Sequence, residues 1–122
     1  MEDTFLVNSF PARKLFDSGA SHSFISQTFK HRLHLIYDTL DIPLSVATPL
    51  GDLSILELVC RGCVISLNNV QLRVDLIILL MSEFDVIPGM DWLSSYHVKI
   101  NCFAKIVCLR VFREAELVVA TL

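Results

Sequence analysis

Short apolar segments separated by turn residues extend along almost the whole chain and predict a mostly β protein. The predicted strands are residues 4–7, 12–16, 44–48, 53–60, 63–67, 70–74, 75–80, 84–87, 98–102, 105–112 and 116–119. The run at residues 75–80 is almost continuously apolar, which is typical of a strand buried on both faces. The alternation slips near Leu56 and indicates a bulge or bend there.

Two short helices are predicted between these strands. Residues 23–35 carry apolar positions at helical spacing, and Ser21 or Ser23 is expected to cap this helix. Residues 91–96 form the second predicted helix. Many short strands with one or two short helices indicate a small, closed, barrel-like domain of the mostly β class.

Composition limits the class of protein. The 122 residues are expected to form a single domain, residues 1–122. Apolar residues make up 53% and charged residues 19%, against about 45–50% and 25% in an average globular domain. Because a small domain leaves much of its surface exposed, this apolar excess suggests a buried subunit interface. The net charge of −3, without a basic stripe, argues against nucleic acid as a partner.

Membrane and metal sites are not indicated either. The longest apolar run, residues 76–81, is far shorter than the roughly 20 residues of a membrane helix. The first residues show no signal-peptide pattern, so we expect a cytoplasmic protein with reduced thiols. Cys60 and Cys63 have metal-type spacing, but Cys102 and Cys108 do not complete a zinc motif. No metal and no cofactor are therefore expected.

The segment Phe16-Asp17-Ser18-Gly19-Ala20 is the strongest candidate for chemistry, because apolar sequence flanks a carboxylate on both sides. A carboxylate held between two core-forming segments is either paired or functional, since an unpaired buried charge is costly. The chain contains one Asp-Ser-Gly. If Asp17 needs a carboxylate partner for acid/base catalysis, a second copy of the chain must supply it. An ordinary turn with Asp17 bonded to backbone is the alternative.

Three segments occur together in this chain: ARKLFDSGASHSFIS at residues 12–26, PLSVATPLG at residues 43–51 and FDVIPGMDWL at residues 84–93. In this order and spacing they resemble the aspartic protease unit of gypsy-type retrotransposon polyproteins, particularly those of plants, a member of the retropepsin family. The resemblance covers about residues 4–119. Asp-Ser-Gly alone is common, whereas the combination of the three segments is specific.

The resemblance implies a half-barrel subunit that works as a homodimer on extended peptide or polyprotein substrates. Each subunit would supply one catalytic aspartate, here Asp17. Ser18 would brace the active-site loop, Gly19 would permit its tight turn and Ala20 would lie against the substrate backbone. A flap covering the substrate is implied at Ala47, Thr48, Pro49, Leu50 and Gly51. A loop beneath the active site is implied at Pro88, Gly89, Met90 and Asp91.

Two residues depart from the family pattern. Pro88 stands where an aliphatic residue is usual and lacks an N–H for a ladder bond near the active-site loop. Lys14 stands where an apolar strand residue is usual. Pro88, together with the high apolar content, favours an alternative function, a catalytically inactive protease-like remnant that dimerises or binds peptides. Asp75, Asp85 and Asp91 are interpreted as a strand-edge charge, a turn charge and a helix cap rather than as further catalytic acids.

Overall fold

The computed structural model describes residues 5–17, 19–47, 53–67, 70–95, 98–101, 106–112 and 115–121. Its strands are β1 (Phe5–Val7), β2 (Phe10–Pro11), β3 (Phe24–Ser26), β4 (Asp38–Ala47), β5 (Leu53–Leu67), β6 (Val70–Leu79), β7 (Val86–Ile87), β8 (Val98–Asn101), β9 (Ile106–Phe112) and β10 (Ala115–Thr121). Its helices are α1 (Gln27–Arg32) and α2 (Met90–Ser95). The mainly β content agrees with the sequence pattern.

The described strands form two sheets. The larger has the order β2-β1-β5-β6-β3-β7, and β4 pairs with β5 outside this path. Its neighbours are antiparallel except for β3, which runs parallel to β6. The sheet curls into a half-barrel, which confirms the predicted fold class. A smaller antiparallel sheet of order β10-β9-β8 follows α2.

The long strand β5 joins two segments that the sequence pattern separates. Its pairing with β6 shifts register between Cys60 and Cys63. Within this shift Gly62 has a φ of 66°, a left-handed conformation that glycine adopts without steric cost. The Gly62 amide donates a 2.8 Å hydrogen bond to Oδ1 of Asp75 on β6. The bulge therefore lets one strand continue where two were predicted.

The pairing of β4 with β5 is irregular beside Leu56, where the sequence predicts a bulge or bend. The register shifts between Thr39 and Leu44, and Leu44 is the residue that pairs with Leu56. The additional residues belong to β4, and Pro43 among them has no N–H for the ladder. The predicted irregularity is confirmed, but the extra residues lie in β4 and not in β5, where Leu56 lies.

The helix predicted for residues 23–35 is wrong in its extent. Its first part is the strand β3, whose three residues are all buried and pair with β6. Helical residues begin only after Ser26, whose hydroxyl caps α1 by accepting a 3.0 Å bond from the Phe29 amide. Ser21 and Ser23 are therefore not the caps. Helical apolar spacing was overridden here by pairing with a strand about fifty residues away.

The strand predicted for residues 12–16 is wrong, because the nearest regular strand, β2, ends at Pro11 before this stretch begins. Lys14 forms an isolated parallel bridge with Val86, and the regular strand β2 ends before it. The Lys14 side chain lies with Nζ 5.7 Å from the ring centroid of Phe5. A cation over an aromatic face is a favourable contact, so the polar residue at this position is accommodated.

The buried apolar side chains form two clusters. The first contains Phe5, Val7, Ile25, Phe29, Cys60, Cys63, Ile65, Leu67, Leu72, Val74, Leu76, Ile78, Val86 and Trp92. The second contains Phe24, Val59 and Ile77, with Ala20, Leu40, Leu44, Val46, Leu56, Leu79 and Ile87 packed against it. Since several of these half-buried residues also line the candidate site, the second cluster forms its apolar floor.

Candidate active site

Asp17 and Ala20 lie at the two ends of a tight turn beside a cleft. Oδ1 of Asp17 accepts a 2.9 Å hydrogen bond from the Gly19 amide, and the Asp17 carbonyl accepts a 3.2 Å bond from the Ala20 amide. These bonds hold the half-buried carboxylate against the backbone of its own turn. Ser18 lies outside the described residues, so the bracing role expected for it stays a prediction.

The segment that begins at Pro88 packs directly against this turn. The Pro88 carbonyl accepts a 3.0 Å bond from the Asp17 amide, and the Met90 amide donates a 2.7 Å bond to the Ala20 carbonyl. The predicted loop and the Asp17 turn are therefore joined by backbone bonds at both ends. The role of residues 88–91 as a loop beneath an active site stays a prediction.

Gly89 occupies the closest approach between the two segments. A Cβ at this position would collide with the carbonyl oxygen of His22 and lie 2.9 Å from that of Ala20. Because these obstacles are backbone atoms, a larger residue requires one of the segments to move. The Gly89 amide donates a 2.9 Å bond to the Ser23 hydroxyl.

Ser23 links this segment to α2. It is fully buried, and its hydroxyl donates a 2.6 Å bond to Oδ1 of Asp91, while its amide donates a 3.2 Å bond to Oδ2. Asp91 also accepts a 2.7 Å bond from the Trp92 amide. Asp91 therefore lies in the first turn of α2 and not at its cap, and Ser23, expected from the sequence only as a possible helix cap, is part of this contact. The available signal was a hydroxyl residue directly before a buried apolar pair.

The cleft beside Asp17 has a volume of about 470 Å³. Its lining residues are Leu15, Asp17, Gly19, Ala20, Ser21, Phe24, Leu44, Ser45, Val46, Leu79 and Ile87. Polar side chains come from Asp17, Ser21 and Ser45, and the other side chains of the lining are apolar. The cleft can therefore hold apolar groups next to a carboxylate.

One arm of the β4–β5 hairpin contributes to the cleft wall. Leu44, Ser45 and Val46 belong to β4, and Ala47 at the end of β4 pairs with Leu53 of β5. The predicted flap residues Thr48, Pro49, Leu50 and Gly51 lie outside the described residues. The arm formed by β4 thus borders the cleft, whereas the role of residues 47–51 as a flap that covers a substrate stays a prediction.

The approach to Asp17 is held by an ion pair that the sequence analysis missed. Asp85, 4% exposed, accepts a 3.0 Å bond at Oδ1 from Nη2 of Arg13, and Oδ2 accepts bonds from the Arg13 amide (2.8 Å) and Nε (3.4 Å). Burial raises the pKa of Asp85, but the hydrogen bonds and charge of Arg13, with the charge of Arg32, outweigh it, so the pKa lies below its usual value. Asp85 is therefore an anchor rather than the turn charge expected.

The two cysteines with metal-type spacing lie in the protein interior. Cys60 and Cys63 are buried free thiols in the first core cluster, and burial raises the pKa of Cys63 to about 12, with the neighbouring Cys60 and Asp75 adding to the effect. Across the part of the chain that the structure describes, no group of three His, Cys, Asp or Glu residues could hold a metal ion. In the same residues, no helix is long and apolar enough to cross a membrane.

A half-barrel sheet with an Asp-Ser-Gly turn packed on a Gly-containing segment defines a fold of the acid-protease type. The family model described as retroviral aspartyl protease matches residues 1–115. The chain therefore belongs to the retroviral aspartyl protease family. The retropepsin resemblance in the sequence is confirmed at this level, and the gypsy-type origin is a finer statement that the match does not reach.

Two solved structures have a similar fold. The retroviral protease-like domain of Ddi1 from Leishmania major is 19% identical, with a TM-score of 0.70 over 97% of this chain and 90% of that chain. The EIAV protease, solved with the inhibitor HBY-793, is 18% identical, with a TM-score of 0.61 over 80% of this chain and 88% of that chain. At these identities the likeness concerns the fold. A search of curated protein sequences gives no match.

Proposed function

We propose that this chain is one subunit of an aspartic endopeptidase that is active only as a homodimer and hydrolyses peptide bonds in polyprotein segments. The observation that carries the proposal is Asp17, held in a tight turn at an apolar cleft, in a chain with one Asp-Ser-Gly. Membership of the retroviral aspartyl protease family supports the peptidase chemistry. The three sequence segments support an origin in a gypsy-type retrotransposon polyprotein.

The chemistry of the proposed dimer follows from two carboxylates at one site. Two Asp17 carboxylates about 3 Å apart cannot both be ionised and therefore share one proton. The ionised carboxylate accepts a proton from a water molecule, whose oxygen attacks the carbonyl carbon of the peptide bond. The protonated carboxylate donates a hydrogen bond to the carbonyl oxygen, and proton transfer to the nitrogen then allows the amine to leave.

The cleft lining indicates which peptides are suitable. Since its wall is apolar apart from Asp17, Ser21 and Ser45, we expect substrates with apolar side chains next to the cleaved bond. Leu44 and Val46 of the β4–β5 hairpin form part of this wall. Closure of the hairpin over an extended peptide would orient the substrate and exclude bulk water from the carboxylates.

Peptide cleavage by purified protein at about pH 5 tests the proposal, because a shared proton requires a partly protonated carboxylate pair. A series of protein concentrations is measured with and without pepstatin, on a peptide library with apolar residues at the cleavage site. We expect pepstatin-sensitive cleavage that rises faster than linearly with protein concentration. Cleavage that is strictly proportional to concentration down to the lowest dilution and insensitive to pepstatin would contradict the proposal.

An inactive dimerising or peptide-binding module is the second candidate, and Pro88 favours it. This residue removes a hydrogen-bond donor from the segment that supports Asp17. A folded dimer that binds the library peptides without cleaving any of them would support this alternative. Cleavage that disappears in an Asp17→Asn variant would exclude it.

A further inference from the structure

The stretch that leads to Asp17 runs parallel to the segment 85–88. The Arg13 carbonyl accepts bonds from the amides of Asp85 (2.8 Å) and Val86 (3.1 Å), and the Leu15 amide donates a 3.1 Å bond to the Val86 carbonyl. The Asp17 amide then donates to the Pro88 carbonyl at 3.0 Å. Asp17 is therefore held in register by a short parallel ladder.

This ladder cannot be complete, because of Pro88. In a parallel pair, every second residue of a strand donates its N–H and accepts at its C=O across the ladder, as Val86 does here. Two residues further on, the same register directs the amide of residue 88 to the Leu15 carbonyl. Proline has no N–H, so this bond cannot form. The missing bond lies one step before Asp17.

The Arg13–Asp85 pair reinforces the opposite end of the same ladder. Three donors of Arg13 reach the carboxylate of Asp85, and hydrogen bonds to a charged group are stronger than neutral ones. Asp85 is itself held in place, since its carbonyl accepts a 2.9 Å bond from the Ser26 amide where β3 meets α1. The pair therefore fastens the stretch before Asp17 to the rigid interior.

We propose that Arg13 and Asp85 are positioning residues for Asp17, and that their ion pair compensates for the ladder bond that Pro88 cannot form. The proposal rests on the peptidase function proposed above. Neither side chain lines the cleft, so the pair acts through the backbone that it holds. Its loss should misplace Asp17 more in the presence of Pro88 than in a Pro88→Leu background.

Amide hydrogen exchange measured by NMR tests the proposal without relying on cleavage. In Arg13→Gln and Asp85→Asn variants, we expect the Leu15 and Asp17 amides to exchange about tenfold faster, as for the loss of a charge-assisted hydrogen bond. The amide of Ile65, in the β5–β6 hairpin, should be unchanged. The matched control is Arg61→Gln, which removes the exposed ion pair between Arg61 and Asp75, 3.9 Å apart, away from this ladder.

Kinetics provide the second measurement. We expect kcat to fall about tenfold in Arg13→Gln, with KM within about twofold, because the pair holds Asp17 and does not contact substrate. Arg13→Lys, which keeps a donor and the charge, should recover most of kcat. In the Pro88→Leu background, the effects of Arg13→Gln on amide exchange and on kcat should both decrease to about threefold or less. The reason is that the restored bond from the residue 88 amide to the Leu15 carbonyl also holds Asp17 in place.

The outcomes separate this proposal from the proposed function. Unchanged exchange at Leu15 and Asp17, or an equal increase at Ile65, would overturn the positioning role whether or not the protein cleaves peptides. Equal effects of Arg13→Gln with and without the Pro88→Leu substitution would overturn the compensation. If the parent chain cleaves no peptide, the proposed function is contradicted. The positioning role of Arg13 and Asp85 is then still decided by the exchange rates of the Leu15 and Asp17 amides. If Asp85→Asn fails to fold, the Arg13 variants still decide, because the Arg13 side chain is 60% exposed.

Discussion

The buried hydroxyl of Ser23 donates a 2.6 Å hydrogen bond to the carboxylate of Asp91, a residue 68 positions further along the chain. The same hydroxyl accepts a hydrogen bond from the Gly89 amide. One oxygen atom therefore connects the segment after Asp17, the segment that begins at Pro88, and α2. Ser23→Ala removes both bonds and leaves a buried amide without its acceptor. We expect the free energy of unfolding to fall by about 2 kcal/mol.

Chemical denaturation of Ser23→Ala measures this effect, with the exposed Ser82→Ala as the control for the same chemical change. The control should lie within about 0.5 kcal/mol of the parent. A Ser23→Ala variant as stable as the control would mean that the three-way contact contributes nothing. Asp91→Asn, which keeps an acceptor oxygen for the Ser23 hydroxyl, should cost less than Ser23→Ala.

Asp17→Asn tests whether catalysis uses one carboxylate from each of two chains. The variant should fold with nearly unchanged stability, because an amide oxygen can still accept the Gly19 amide, but it should cleave nothing. We expect an equal mixture of variant and parent chains, refolded together, to have about a quarter of the activity of parent chain alone at the same total concentration. A quarter is the fraction of dimers that contain two parent subunits. A reduction to one half would indicate that single chains are active.

Pro88→Leu is expected to stabilise the chain. The new amide can donate to the Leu15 carbonyl, which contributes about 1 kcal/mol, while the loss of proline rigidity in the unfolded state removes about 0.5 kcal/mol. A net gain of about 0.5 kcal/mol, or a tighter dimer, follows. Pro43→Leu in β4 is the matched control. It has the same effect on the unfolded state, but its new amide cannot donate to the Leu15 carbonyl. A Pro88→Leu protein no more stable than Pro43→Leu would refute the expectation.

Among the three glycines that the structure describes, Gly89 should tolerate alanine least. The added methyl group meets the His22 and Ala20 carbonyls, which are backbone and cannot rotate away. We expect a loss of about 3 kcal/mol in unfolding free energy. Gly62→Ala is the comparison, because its Cβ would meet nothing within 4 Å and its cost is limited to the positive φ, about 1 kcal/mol. Equal losses in thermal melts of the two variants would contradict the packing argument.

The sequence predicts the parts of this fold that depend on neighbours in the chain. The β5–β6 hairpin and the Asp17 turn are local, and the combined motifs indicated the family. The strand β3 was missed because its conformation depends on parallel pairing with β6. The Arg13–Asp85 pair was missed for the same reason: 72 residues separate its members, and no spacing rule joins them.

Acid stability is the last test of the Arg13–Asp85 pair. Hydrogen bonds and charge from Arg13 hold the pKa of Asp85 below its ordinary value of 3.8 despite burial. A carboxylate with a lowered pKa in the folded state stabilises the fold above the unfolded pKa, and this contribution is lost as pH falls through the folded pKa. The pair should therefore remain intact at about pH 5, where a carboxylate pair that shares a proton is active.

The measurement is the unfolding free energy of the parent chain and of Asp85→Asn between about pH 7 and pH 2. The difference between the two should be constant down to about pH 5 and should decrease below about pH 4, where Asp85 of the unfolded parent chain gains a proton that the folded chain takes up only at lower pH. Arg61→Gln serves as the control for a general effect of charge. If the difference already declines between pH 7 and pH 5, Asp85 is not the low-pKa partner of Arg13, and the ion pair would not survive under the conditions of acid proteolysis.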